Sequence, residues 1–169
     1  GICDYNTFSG YFKIKKDYPD FLKKYAILPV IELRTDDYVG KKAELKINLH
    51  IIFSKQIEDS ELNRLLDYPL TRGEIKINDI KDFNSETICI EKLKKFFSDN
   101  AKYYNNKYLF MLGRNEANEI DNGLKGNFMK DAQFICSASE NVEQAQKAQS
   151  DTQQYFDEYN IKYFHCSDA

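Results

Sequence analysis

The chain has 169 residues, 42% hydrophobic and 30% charged, with 12 Phe, 12 Tyr, 7 Gly and 3 Pro. This is enough apolar surface for one compact core, and it excludes collagen-like, low-complexity and disordered classes. The formal net charge of −3, from 24 Lys and Arg against 27 Asp and Glu, gives no global basic field to hold nucleic acid by counterion release. A polyanionic substrate would need local help, for instance a metal.

No apolar run approaches the roughly 20 residues of a membrane span, so no membrane partner is expected. The opening Gly1-Ile2-Cys3-Asp4 has no basic or apolar signal region. Lacking a starting Met, it points to a piece of a longer chain. The four cysteines, Cys3, Cys89, Cys136 and Cys166, form no C-x-x-C pair, and a chain with this much core needs no disulfide staples. The expected location is the reducing cytoplasm.

In chain order, Gly1 to Cys3 reads as a scrap of strand that enters the polar turn Asp4-Tyr5-Asn6-Thr7. Phe8, Tyr11, Phe12, Phe21, Leu22 and Tyr25 recur at helical intervals, with Pro19 dividing the stretch into two pieces. Ala26 to Leu33 is an apolar run of the kind buried on both faces of a sheet, and it carries Glu32. The polar stretch Arg34 to Glu44 reads as a loop, and Leu45 to Ser54 as a second buried strand with His50 in its middle. Asp59 to Leu66 is a short helix, Thr71 to Phe83 a charged excursion, and Ser85 to Asn100 an amphipathic helix. Tyr108 to Gly113 is a strand, Asn122 to Met129 a helical stretch, and Ala132 to Cys136 a short strand. Glu140 to Asn160 has the clearest helical period, and Ile161 to Phe164 closes the series as a strand. Strands alternating with helices at this spacing indicate parallel β/α units in one domain, 1–169. Catalytic groups of such folds collect at the C-terminal ends of the strands.

Both histidines, His50 and His165, fall at strand positions, with Asp4, Tyr5, Glu32 and Asp168 also inside or beside strands. Carboxylates with imidazole suit zinc, manganese or iron. The bland alternatives are a satisfied core histidine for His50 and a turn or helix cap for Asp4 and Asp168. Glu32 is harder to dismiss, because a carboxylate amid Ile, Val and Leu is costly to bury without a cation or several hydrogen bonds. Cys166 adjoins His165, but neighbours on an extended segment point to opposite sides, which argues against a Cys-His dyad. No phosphate-binding glycine loop or serine-hydrolase elbow is present.

Ile2 to Thr7, Leu28 to Leu33, Asn48 to Ser54 and His165 to Ala169 stand in an order that resembles four motifs of the PHP (polymerase and histidinol phosphatase) family. Ile2-Cys3-Asp4-Tyr5-Asn6-Thr7 with Gly10-Tyr11 resembles its I-T-D-H-(N/D)-T and following D-G-Y, and Leu28-Pro29-Val30-Ile31-Glu32-Leu33 its L-P-G-I-E strand. Asn48 to Ser54 resembles its H-(I/V)-(L/I) strand, and His165-Cys166-Ser167-Asp168-Ala169 its closing G-S-D-A-H. Asp4-Tyr5, Pro29 to Arg34 and Asn48 to Ser54 are also similar to the PHP domains of TrlF-type AAA-like ATPases.

The resemblance implies a distorted (β/α)7 TIM-like barrel, incomplete at both ends in this chain, with two or three divalent metal ions (Mn, Zn or Fe) at its mouth. It implies metal-dependent hydrolysis of a phosphoester, nucleic acid among the candidates, beside an AAA-like ATPase module in the same chain or complex. Glu32, His50 and Asp168 would be the catalytic metal ligands, with Asp4 a further ligand. Tyr5 stands where most of the family has a ligating His, and His165 and Arg114 fall at substrate-side or lost-ligand positions. The first motif's H-x-H pair and the last His are missing, and the mid-domain His has no counterpart. The alternative is a degenerate, non-catalytic PHP module with an interaction or regulatory role.

Overall fold

A computed structural model describes residues 1–39, 45–83, 86–113, 132–138 and 160–166, with separate positions between 143 and 158. At 37–39, 45, 137–138 and 164–166 it describes the backbone alone. The elements in chain order are β1 (Ile2–Tyr5), α1 (Ser9–Asp17), α2 (Pro19–Lys24), β2 (Pro29–Val39), β3 (Leu45–Phe53) and α3 (Asp59–Leu66). A 3-10 turn (Ile77–Asp79) precedes α4 (Ile90–Asp99), α5 (Ala101–Tyr104), β4 (Tyr108–Gly113), β5 (Ala132–Ala138) and β6 (Lys162–Cys166). No described helix is long and apolar enough to cross a membrane.

The fold is mixed α/β with one six-stranded sheet in the order β1-β2-β3-β4-β5-β6. The pairs β1/β2, β4/β5 and β5/β6 are parallel. Residues 40–44, all that separates β2 from β3, are too few for a crossover, so these neighbours run antiparallel. Among the described residues the sheet does not close on itself. The predicted helices of 122–129 and, for the most part, 140–160 lie outside the described residues.

The chain divides into two compact units, Gly1–Asp37 with His50–Tyr108, and Tyr38–Leu49 with Leu109–Ala169. The second contains β5 and β6, whose register runs from Phe134 opposite Lys162 to Ala138 opposite Cys166. In the first, alternate residues of β3 build the core, with Ile51 and Phe53 fully buried. Phe53 meets Phe8 edge-on at 5.6 Å and packs on Phe97 and Tyr104. The Tyr104 hydroxyl donates to the Glu61 carbonyl oxygen at 2.6 Å, so its polar end is satisfied inside the core.

Two sequence expectations are corrected here. The polar stretch from Arg34, expected as a loop, continues β2 to Val39, and the helix expected from Ser85 begins only at Ile90. Ile88 lies parallel against Thr35: its N–H donates to the Arg34 carbonyl (2.8 Å) and its carbonyl accepts from Asp36 N–H (2.9 Å). Ile88, inside the expected helix, is therefore extended, and it bridges to the polar half of β2 at Thr35. Pro19 opens α2 and divides the two N-terminal helices as its fixed φ requires.

Candidate metal centre

β1 and β2 pair in parallel register, Cys3 with Val30, Asp4 with Ile31 and Tyr5 with Glu32. Strand alternation therefore sends Cys3, Tyr5, Val30, Glu32 and Arg34 to one face, and Ile2, Asp4, Ile31 and Leu33 to the other. His50 of β3 turns to the first face, out of step with the core residues Ile51 and Phe53.

Glu32 and His50 meet there, with Glu32 Oε2 3.2 Å from His50 Nε2. Their side chains are only 11% and 18% exposed. Cys3 Sγ joins them, so that one donor atom from each of the three residues lies within 4.8 Å of the others. Burial opposes a charge on His50, but hydrogen bonds and charge attraction from Cys3 and Glu32 outweigh it and push the imidazole up to about 9. His50 Nδ1 is buried with no hydrogen-bond partner among the described residues.

The orphaned Nδ1 limits the chemistry available. A nucleophile–base–acid relay needs the thiol on one ring nitrogen and the carboxylate on the other. Here Glu32 meets Nε2 and neither partner bonds Nδ1, so that relay is not assembled. Sulfur, oxygen and nitrogen donors gathered about one point match what a borderline cation requires. A buried carboxylate whose neighbours are one imidazole and one thiol also has lone pairs to spare for a cation. The residues present thus fit a metal ion.

No protein-family model, curated protein or solved structure matches the chain.

The other expected site residues divide into two groups. Asp4 lies on the opposite face, where its Oδ2 accepts the Gly10 N–H at 2.8 Å and so serves the first turn of α1. Gly10 allows this close approach, because a Cβ there would stand 2.8 and 2.9 Å from the two Asp4 oxygens and the carboxylate would have to shift. Tyr5 shares the face of Glu32 but is 60% exposed, its ring 4.5 Å from that of Phe83. The Arg34 guanidinium lies over the other partner of that pair, 4.5 Å from the Phe83 centroid. Asp168, Arg114 and the side chain of His165 lie outside the described residues. Cys3 was not among the candidates read from the sequence. The available signal was its spacing, since it stands two residues before Tyr5 on a strand and so shares its face.

Proposed function

We propose that the chain is most of a PHP-type domain that hydrolyses a phosphoester with the help of divalent cations, within a longer ATPase-linked protein. The observation that carries this reading is the 3.2 Å meeting of Glu32 with His50. Both were singled out by family motifs, and their meeting is what that resemblance implies. Glu32 and His50 would hold the cation, and the resemblance adds Asp168. When bound, the cation supplies a hydroxide nucleophile at neutral pH and offsets charge that develops on phosphorus oxygens. Glu32 contributes the negative charge that draws a cation to a partly buried face, and His50 contributes an imidazole nitrogen. The positive field that a chain of net charge −3 lacks would come from the metal. Closure of the open sheet into a seven-stranded barrel belongs to the same proposal.

The test is hydrolysis of a chromogenic phosphodiester and of nucleic acid by the full natural polypeptide, with added manganese or zinc. Metal-dependent turnover is expected, and Glu32→Gln or His50→Ala should reduce it by at least about a hundredfold. Turnover undiminished in both variants would overturn the reading.

Two features favour a second reading, a degenerate PHP module with a regulatory or interaction role. One carboxyl oxygen of Asp4 accepts the Gly10 N–H of α1, and a phenol occupies position 5, where the family motif has an imidazole. Two or more tightly bound cations per chain in the full-length protein would exclude it.

A further inference from the structure

We propose that Cys3 is a thiolate donor of this centre, completing with Glu32 and His50 a sulfur–oxygen–nitrogen set that takes zinc(II) in preference to magnesium or manganese. The inference rests on the metal-centre reading above and goes beyond its motifs, in which position 3 carries no ligand.

The geometry is close to what the ion needs. Donors at about 2.0–2.3 Å around a tetrahedral cation stand about 3.3–3.6 Å apart. Glu32 Oε2 and His50 Nε2 are already 3.2 Å apart, and no pair in the trio exceeds 4.8 Å. Small side-chain rotations close the difference. The placement of Cys3 is also unlike that of an ordinary structural cysteine. A free cysteine usually behaves as a small buried hydrophobe, as Cys89 and Cys136 do, whereas Cys3 is exposed. It is an exposed strand position whose side chain lies beside a carboxylate and an imidazole.

The donor set determines the metal. Magnesium and manganese favour carboxylate, carbonyl and water oxygens, while thiolate and imidazole select zinc. As the sulfur–zinc bond forms, the Cys3 thiol releases its proton to solvent, and the Nε2 lone pair must likewise be free of its proton. Among the described residues three protein donors gather, so the fourth tetrahedral position would go to water, to substrate or to the Asp168 that the resemblance adds.

The experiment is titration of the intact chain with cobalt(II), a spectroscopic stand-in for zinc, followed by competition with zinc(II) and manganese(II). Circular dichroism checks that each variant is folded. One cobalt per chain with a near-ultraviolet sulfur-to-cobalt charge-transfer band is expected. Cys3→Ser should abolish that band and weaken zinc binding by at least about tenfold to a hundredfold, since loss of an outer-shell partner alone costs that much. Cys3→Asp should shift the preference from zinc toward manganese, a gain that damage to the fold would not produce. Cobalt bound without the band, or a band that persists in Cys3→Ser, would overturn the proposal. If Glu32→Gln removes cobalt binding while Cys3→Ser keeps the wild-type spectrum, the thiolate role falls and the phosphoesterase reading stands. A wild-type chain that binds none of the three metals would overturn both.

Discussion

Glu32 and Asp4 are carboxylates on adjacent parallel strands, one register step apart, and they have different surroundings. Glu32 turns to the face of Cys3 and His50, where its neighbours are a thiol and an imidazole. Asp4 turns to the other face, where a backbone N–H of α1 meets it. The motif of which Asp4 is part suggests a ligand, and the pleat sends it to the face opposite Glu32, because side chains one residue apart on a strand cannot share a face. A candidate ligand inside a strand must therefore be judged by register as well as by motif.

The apolar face should show the largest effect. Phe53→Ala removes the ring shared by Phe8, Phe97 and Tyr104, and about 3–5 kcal/mol of stability should go with it. Urea unfolding measures this, and a midpoint close to wild type would show that the aromatic cluster is not what holds this unit together.

The polar face should appear next, in the pH dependence of the metal-free chain. His50 is raised from 6.5 to about 9 by Cys3 and Glu32, so its contribution is fully present below pH 6.5 and is lost as the pH rises through about 9. The loss should be on the order of 3 kcal/mol. Glu32→Gln should flatten that alkaline slope, and an imidazole resonance titrating near 6.5 in the wild-type chain would contradict the pairing. Zinc must displace the same proton, so its affinity should rise across this window.

The smallest effect is the sharpest comparison. Asp4→Ala should cost about 1 kcal/mol, as loss of a helix-cap acceptor does, and leave cobalt and zinc affinity unchanged. Metal affinity lost at unchanged stability would place Asp4 with Glu32 after all.

Part of this was legible in the sequence because charge stands out against an apolar background. Glu32 and His50 interrupt runs of Ile, Leu and Val, and such residues need a reason to be there. Asp4 had its simpler reading in view too, as a cap after a strand. Cys3 was hidden because a cysteine in an apolar scrap reads as one more small hydrophobe, and what distinguishes it is the residue opposite it on another strand. The second half of β2 was hidden for a related reason. Arg34, Thr35 and Asp36 look like a loop, and what shows them as strand is pairing beyond local sequence: β2 lies between β1 and β3 in the sheet, and Ile88, far along the chain, bridges to Thr35. Local composition does not encode a partner so distant.

The position of Cys3 at the first strand of the sheet gives the chain a built-in chemical reporter. Of the cysteines whose side chains are described, it alone is exposed, while Cys89 and Cys136 are buried. A thiol-alkylating reagent should therefore mark Cys3 ahead of the other two, and an ion held by its sulfur would slow that reaction by occupying the nucleophilic lone pair. Occupancy of the centre can then be followed by mass spectrometry of one peptide, with no substrate required.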